Sequence, residues 1–485
     1  MDKTQNSGVE YSFNEIVYFL NGTKQSAILP PDLTTLEMLH HKLHMYGTKC
    51  SCNEGDCGAC TVVISYPQEG TIVYEAINSC LYPAVKLHGK HLITIEGLGS
   101  PENLHPIQQA LLEHHGTQCG YCTPGFVMSL FALLASISHP NMENIMAALE
   151  GNLCRCTGYQ SILDAAQELS KDHDPATIVP AWCRAIEAQL FSFNEKTTVR
   201  AQVSNSLFKI DKYLQVENCR ELAQLLSTHP NATLIAGGTD VMVQVNIARR
   251  HFPCLIDICG IAELKNIRLK RDGIHIGAAV TYSRIMDSGI IKTDLPALIE
   301  ICRLIAGKQI RNSGTLVGNI ANASPIGDSL PLLLIYETRL VLASEQGERE
   351  LALRDFFVEY RKTALQTGEY IKEIIINRPF QDTFIACLKT AKRKSVDISA
   401  VSSAIRIDKQ PEARAMLALG GVAATPVISK TFTTLWGSMP EKDWQLLAEK
   451  VAAEFSPLAD VRGSAEYRKQ MIINHILQYG EAYNG

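Results

Sequence analysis

Apolar residues change their spacing several times along the chain, and each change marks an element. "IVYFLNGTKQSAIL" (Ile16–Leu29) alternates on both sides of Asn21-Gly22, which reads as two strands and a tight hairpin. "TLEMLHHKLHMY" (Thr35–Tyr46) has helical spacing, and "TVVIS" and "TIVYEAI" read as strands. Together they predict a small mixed sheet gripping a helix. Phe126 to Ile137 is strongly helical, with Thr123 as N-cap and Pro124 at the first helical position, and Asn144 to Leu149 predicts another helix. A polar stretch near Ser170–Trp182 opens a linker. After about Ser206 the pattern changes again. "CRELAQLLSTHP" is helical, and "CLIDICGIAELKNI" reads as a buried strand and turn. The shifts fit a multidomain α+β protein, whose expected division is 14–96, 97–172, a linker at 173–205, 206–380 and 381–485.

Composition narrows the class. The 485 residues are 46% hydrophobic and 20% charged, enough for several cores. The net charge is −5 with the signs interspersed, so no nucleic-acid surface is expected. The longest apolar run, Gly125 to Ile137, is too short to span a bilayer, and the polar N-terminus has no signal core. The expectation is a cytoplasmic protein with no membrane partner.

Fifteen cysteines are many for such a chain. Cys183, Cys219, Cys254, Cys259, Cys302 and Cys387 are scattered and read as small buried residues. The others cluster, which without a secretion signal points to metal rather than disulfides. In "CSCNEGDCGAC" the spacing from Cys52 is Cys52-x4-Cys57-x2-Cys60, with Cys80 following, the arrangement of plant-type 2Fe-2S sites. A diiron cluster needs four converging thiolates and inward-pointing amides, and Gly55 and Gly58 let the loop curl. Cys50 breaks the spacing and reads as a bystander. A structural zinc site usually pairs two short C-x2-C knuckles and fits this loop poorly. "QCGYCTPG" and "GNLCRCTGY" add Cys119, Cys122, Cys154 and Cys156 at helix ends, where amides and dipoles favour thiolates. In isolation this set suits zinc as well; after the first loop it reads as a second 2Fe-2S centre.

"GTKCSCNEGDCGAC", "QCGYCTPGFVMS" and "GNLCRCTGYQSI" together resemble the iron–sulfur half of the xanthine dehydrogenase and aldehyde oxidase family of molybdenum hydroxylases. Cys50, and "GYQSI" where many members have Arg-Pro, depart from the family pattern. The resemblance runs from about Glu15 to Leu477. It implies a β-grasp plant-type ferredoxin domain, a helical 2Fe-2S domain, an α/β FAD-binding domain of vanillyl-alcohol-oxidase type and a C-terminal α/β domain.

"LIAGGTDV" and "AGKQIRNSGTLVGNIANASPIGD" resemble the FAD domain of the same enzymes. Alone, "AGGTD" is a weak phosphate signal, and a core strand ending in a turn is its plainer reading. The resemblance implies FAD contacts from Leu234, Ile235, Ala236, Gly237, Gly238, Thr239, Asp240, Val241, Ile305, Thr315, Gly318, Asn319, Asp328, Ile371 and Lys389. The amides of Gly237 to Asp240 would cradle the pyrophosphate, Thr315 and Asn319 would meet phosphate and ribose, and Asp328 would accept from ribose hydroxyls. Lys389 would stabilise an anionic reduced flavin; its alternative reading is a solvated surface lysine. Val317 stands where many relatives have glycine. Lys392, Arg393 and Lys394 lie where relatives have a mobile segment beside the flavin, and are expected to tune its potential or attract an anionic dinucleotide.

The resemblance also implies partners. A large polypeptide would hold molybdenum-molybdopterin and the substrate pocket, in a heterotetramer of two small and two large subunits. Electrons from hypoxanthine or xanthine oxidation to urate would pass singly through the Cys119/Cys122/Cys154/Cys156 cluster and then the Cys52/Cys57/Cys60/Cys80 cluster, and FAD would deliver them to NAD as a hydride. No residue here is then expected to be a catalytic base. The alternatives are a subunit serving aldehydes or N-heteroaromatics, a stand-alone electron carrier, and a zinc-stabilised binding module.

Overall fold

The Asn21-Gly22 signal produces the expected hairpin: Ile16–Leu20 pairs antiparallel with Thr23–Ala27. The computed structural model describes residues 11–13, 15–171, 174–193, 199–203, 208–409, 414–439 and 442–484. The architecture is multidomain α+β. The chain divides into one unit of Met1–Glu217, Asn231–Gly260 and Ala306–Ser313, and another of Asn218–Pro230, Ile261–Ile305 and Gly314–Gly485.

In the first unit one sheet runs in the order Thr23–Ala27, Ile16–Leu20, His91–Ile93, Thr61–Gln68, Thr71–Asn78. Ile16, Tyr18, Leu36, Leu39, Val62, Ile64 and Leu92 pack together beneath it. The helix expected over 35–46 is shorter. Thr34 and Glu37 form a capping box, Thr35–Glu37 is α-helical, and Met38–Lys42 widens into a π turn. His44 then takes a left-handed φ of 55°, which ends the helix.

The helical part comprises Pro106–Glu113, Thr123–Ser136, Met142–Leu149 and Gln160–Lys171. Thr123–Ser136 is buried on nearly every side, through Phe126, Val127, Leu130, Phe131 and Leu134. Thr123 is its first residue and Cys122 occupies the cap, one place earlier than the sequence suggested. Within the expected linker, Pro175–Ile178, Ala181–Ala185 and Glu187–Phe191 are short helices anchored by buried Ile178, Cys183 and Leu190. Residues 172–173, 194–198 and 204–207 of that region lie outside the described residues. A second sheet of this unit runs in the order Tyr11–Phe13, Arg200–Val203, Lys212–Gln215, Leu255–Asp257, Thr233–Ile235, with its last three strands parallel.

The second unit holds an antiparallel sheet ordered Ile267–Lys270, Gly273–Gly277, Tyr370–Ile376, Arg339–Ser344, Gly347–Ala352. Its other large sheet runs Phe384–Thr390, Val401–Asp408, Arg414–Gly420, Val427–Ile428. The helices Lys430–Ser438, Trp444–Glu454 and Ala465–Asn484 bury Phe432, Trp436, Leu447 and Ile472 with Val401, Ile405 and Leu417 of that sheet. Among the described residues no helix is long and apolar enough to cross a membrane.

His91 ties the hairpin to the first sheet. It is fully buried, and its Nε2 accepts from the Gly22 amide at 3.1 Å, which requires a neutral ring. Burial pushes its pKa down from 6.5 to about 3. The unfolded chain therefore binds the extra proton between those values, and stability falls as pH drops from 6.5 toward 3. His91→Gln keeps an acceptor and does not titrate. In chemical denaturation the wild type is expected to lose roughly 2 kcal/mol more than this variant between pH 7 and 5.

Candidate functional site

Strand pairing sets up the first cysteine loop. Thr61 opposes Asn78 in the antiparallel ladder, so the residues just outside it, Cys60 and Cys80, become neighbours. Their sulfurs lie 3.3 Å apart, and both residues are buried. Cys52 and Cys57 form a second thiol pair, and Cys80 feels the charges of Cys60, Cys52 and Cys57 together. The two thiol pairs are thus close enough to influence each other's charge. Cys50 is exposed, and its carbonyl accepts from the Tyr121 hydroxyl.

The thiols divide their protons unequally. The hydrogen bond from Cys57 draws Cys52 down to about 5, while Cys57 is pushed up. Likewise the bond from Cys80 lowers Cys60 despite burial, and Cys80 rises. Backbone N–H groups of Glu54, Cys57 and Asp56 point at the Cys52 sulfur, and Asn78 Nδ2 lies 3.7 Å from the Cys60 sulfur. Inward-turned donors around these thiols stabilise thiolate charge, as an anionic iron–sulfur core requires; it is the x4 spacing from Cys52 to Cys57, rather than the donors, that disfavours zinc.

The second set is built the same way. Cys119 and Cys156 have sulfurs 3.6 Å apart and are exposed; Cys122 pairs with buried Cys154. Burial works to raise Cys154, but the Thr157 hydroxyl and the amides of Thr157 and Cys156 prevail and hold it at about 7. Cys122 is pushed up to about 12, chiefly by burial. It caps Thr123–Ser136, and Cys156 lies shortly before Gln160–Lys171. The donor set fits a second cluster.

The two loops interlock. The Leu153 amide donates to the Cys57 carbonyl at 2.9 Å, and Asn152 Nδ2 donates to the Gly58 carbonyl at 3.1 Å. Asn152, Ser129, Thr61 and Gln309 form a buried polar set behind the cysteines. Sequence reasoning gave none of the four a role: Ser129, Asn152 and Gln309 stand inside the quoted stretches "QCGYCTPGFVMS", "GNLCRCTGYQSI" and "AGKQIRNSGTLVGNIANASPIGD", but nothing there shows that they meet.

The flavin candidates divide between the two units. In the first, Leu234 and Ile235 end the strand Thr233–Ile235, and Gly237, Gly238, Thr239 and Asp240 form the turn before Val241–Asn246. Among the described residues the amides of Gly237, Gly238 and Thr239 donate to no backbone carbonyl, and Gly238 has φ +80°. Such a turn suits phosphate oxygens. The Ala236 carbonyl is taken by the buried Lys86 ammonium, which is also 3.4 Å from Asp257. No sequence signal pointed to Lys86.

In the second unit Lys389 and Asp328 form an ion pair at 2.8 Å. Lys389 also donates to the Leu304 carbonyl at 2.8 Å, and Ser399 donates to Asp328. Only 4% of the Lys389 side chain is exposed, so the surface-lysine alternative fails. Thr315 caps Leu316–Asn322 by accepting from the Gly318 amide at 3.0 Å, and Asn319 accepts from Ser329 at 2.9 Å. Ile371 is buried in Tyr370–Ile376, and Ile305 is half-buried. Lys392 donates to the Val461 carbonyl at 2.8 Å, and Arg393 pairs with Asp397 at 3.6 Å.

Comparison with known families accounts for most of the chain. Residues 18–84 match the 2Fe-2S iron-sulfur cluster binding domain and 94–167 the 2Fe-2S binding domain. Residues 206–379 match the FAD binding domain in molybdopterin dehydrogenase, and 386–481 the CO dehydrogenase flavoprotein C-terminal domain. Xanthine dehydrogenase of Drosophila subobscura is 32% identical over 536 residues, covering 97% of this chain and 39% of its own. Xanthine dehydrogenase/oxidase of Mus musculus is 32% identical over 523 residues, covering 96% and 39%. The chain therefore spans about two fifths of the length of these curated relatives. Among solved structures, the cyanide-inactivated Cu,Mo-CO dehydrogenase has a TM-score of 0.52 at 27% identity, covering 54% of this chain and 94% of that one. Quinoline 2-oxidoreductase from Pseudomonas putida 86 shares the fold, with a TM-score of 0.52 at 24% identity, covering 57% and 97%.

The loop geometry makes two glycines unequal. Gly58 has φ +66°, and a Cβ there would stand 2.4 Å from the Gly151 carbonyl oxygen; Gly120 has φ +81° with nothing within 4 Å. Gly120→Ala is expected to cost about 1 kcal/mol of strain, and Gly58→Ala roughly 3 kcal/mol or more, since backbone must also move. Urea denaturation of the two variants checks the order.

Proposed function

The chain belongs to the molybdenum hydroxylase family, whose iron–sulfur and FAD portion it matches, and from that premise we propose that it is the electron-transfer subunit of a xanthine dehydrogenase-type enzyme. Its partner is a molybdopterin-binding chain that oxidises hypoxanthine and xanthine, and its acceptor is NAD. The observation that carries this reading is the pair of four-thiol sets within one compact unit, on a chain that also holds an FAD-binding domain. Similarity to xanthine dehydrogenases over nearly the whole chain supports the substrate class.

On this reading Cys52, Cys57, Cys60 and Cys80 hold one 2Fe-2S cluster, and Cys119, Cys122, Cys154 and Cys156 hold the other. When bound, the clusters supply single-electron transfer and FAD exchanges electron pairs with a hydride acceptor. The protein's own residues do the positioning. Backbone N–H groups around Cys52 and Cys154 stabilise thiolate charge. Exposed Cys119 and Cys156 place the second set where a partner chain can approach. In the first unit the amides of Gly237 to Thr239 would receive a pyrophosphate; in the second, Lys389, oriented by Asp328 and the Leu304 carbonyl, would supply a fixed cation. Lys392, Arg393 and Lys394 draw in the acidic dinucleotide. The likeness to Cu,Mo-CO dehydrogenase favours a second reading, a related hydroxylase with another substrate. Copurification with the molybdopterin chain and turnover of xanthine against aldehydes and N-heteroaromatics separates the two.

The purified chain is expected to be brown, to hold about four iron atoms and to show two electron-spin signals when reduced. Cys60→Ser and Cys156→Ser should each lose a different signal and about half the iron. A colourless zinc protein would sink the proposal. Replacing Lys392, Arg393 and Lys394 together with alanine should raise the KM for NAD roughly tenfold with kcat little changed. Unchanged steady-state NAD reduction would remove that role.

A further inference from the structure

Gln309 belongs to the part of the chain that matches an FAD-binding domain, yet it is buried among the cysteine loops. The segment Ala306–Ser313 to which it belongs is part of the first unit. Gln309 Nε2 lies 2.9 Å from Asn152 Oδ1, 3.0 Å from Ser129 Oγ and 3.4 Å from Thr61 Oγ1. Ser129 donates to Asn152 Oδ1 at 2.7 Å, which closes a ring of three side chains. That ring settles the orientation of the Asn152 amide. Its oxygen receives Ser129 and Gln309, so its nitrogen must face the other way, onto the Gly58 carbonyl at 3.1 Å and Thr61 Oγ1 at 3.3 Å. Thr61 Oγ1 completes the set by donating to the Gly58 carbonyl at 2.7 Å. Thr61, Ser129, Asn152 and Gln309 are all at most 2% exposed.

Each anchor of this set adjoins a cysteine. Gly58 follows Cys57, Thr61 follows Cys60, and Asn152 stands two residues before Cys154. The fit also leaves little slack. A Cβ on Gly151 would lie 2.1 Å from Gln309 Oε1, and one on Gly307 would lie 2.5 Å from the Gly151 Cα. Neighbouring residues brace the same segment. Asn312 donates to the Ala76 carbonyl at 2.9 Å, and buried Arg311 pairs with Glu150. Burying four polar side chains is costly unless they are mutually bonded, and apolar packing would hold two loops together equally well. What the polar ring adds is a single allowed arrangement of the carbonyls and amides beside both thiol sets.

We propose that Gln309 is a positioning residue for electron passage between the two thiol sets, fixing through Asn152 the placement of the Cys57–Cys60 loop against the Cys154 loop. The inference rests on the two-cluster reading above. Segment Ala306–Ser313 is then a structural member of the relay as well as part of the flavin-type sequence.

Gln309→Met retains length and bulk but cannot donate. In the full chain it should keep both iron centres and its FAD. The magnetic interaction between the two reduced centres in low-temperature electron-spin spectra should change. The electron distribution between them at a poised potential should shift roughly tenfold, equivalent to about 59 mV. Should Gln309→Met fail to retain iron, Ser129→Ala, which opens the same ring from the other side, is read in the same terms. A variant with full iron, unaltered magnetic interaction and unaltered electron distribution overturns the proposal. A wild-type protein lacking two centres overturns the relay reading instead, so the two failures are distinct.

Discussion

The carbonyl of Cys57 accepts a hydrogen bond from the amide of Leu153 at 2.9 Å, and much of the first unit is arranged so that this contact can exist. Two cysteine-bearing loops, one with Cys57 and Cys60 and the other with Cys154 and Cys156, must bring their backbones together without side chains between them. A Cβ on Gly58 would meet the Gly151 oxygen at 2.4 Å, and one on Gly125 would meet the Gly58 oxygen at 2.3 Å. The sheet supplies one side of this junction through the ladder that ends at Thr61 and Asn78, and the buried helix Thr123–Ser136 supplies the other. The strand pair could not slip by a residue without separating Cys60 from Cys80, because a one-residue slip turns each side chain to the opposite face.

Charge is managed locally throughout. Amide and hydroxyl donors reach the sulfurs of Cys52 and Cys154, and such hydrogen bonds stabilise thiolates without adding a compensating charge. Where full charges are buried they come in pairs. Lys86 faces Asp257, Arg311 faces Glu150, and Lys389 faces Asp328. Removing one member of such a pair leaves an uncompensated buried ion, so the loss of either partner is strongly destabilising. Lys86 also grips the carbonyl of Ala236, so a buried charge steadies the residue just before the phosphate-type turn. For Lys389, pairing with Asp328 fixes a cation that would otherwise be mobile on a long side chain.

What the sequence revealed was whatever a spacing can encode. Cys52-x4-Cys57-x2-Cys60 states that sulfurs must converge, because that geometry is local, and the Asn21-Gly22 hairpin is likewise a local event. Boundaries were less legible. Thr35–Tyr46 has helical periodicity throughout, yet the helix widens at Met38 and stops where His44 turns left-handed. The polar stretch from Ser170 read as linker because its apolar residues are sparse; Ile178, Cys183 and Leu190 still suffice to bury three short helices. The polar ring was not legible at all. Thr61, Ser129, Asn152 and Gln309 are up to 248 residues apart in the chain, and nothing in their neighbourhoods announces that they meet. A hydrogen-bonded set assembled from four separate segments is a property of the tertiary fold and has no sequence period.

The two thiol sets differ in one respect that bears on how a relay can run. Cys60 and Cys80 are buried, whereas Cys119 and Cys156 reach the surface. An exposed centre exchanges electrons readily with whatever docks on it, and it is equally open to solvent oxidants. A buried centre is protected but reaches only groups within its own protein. On the two-cluster reading proposed above, coupling the two in series would give the more open set the encounter and the more enclosed set the onward delivery. The junction between them then bears on how fast electrons pass, through separation, while their relative potentials govern the direction. A rigid junction is the cheaper solution, since no reorganisation accompanies each passage. The Cys57–Leu153 contact and the polar ring behind it provide that rigidity with neutral hydrogen bonds, and so leave the charge balance of both sets undisturbed.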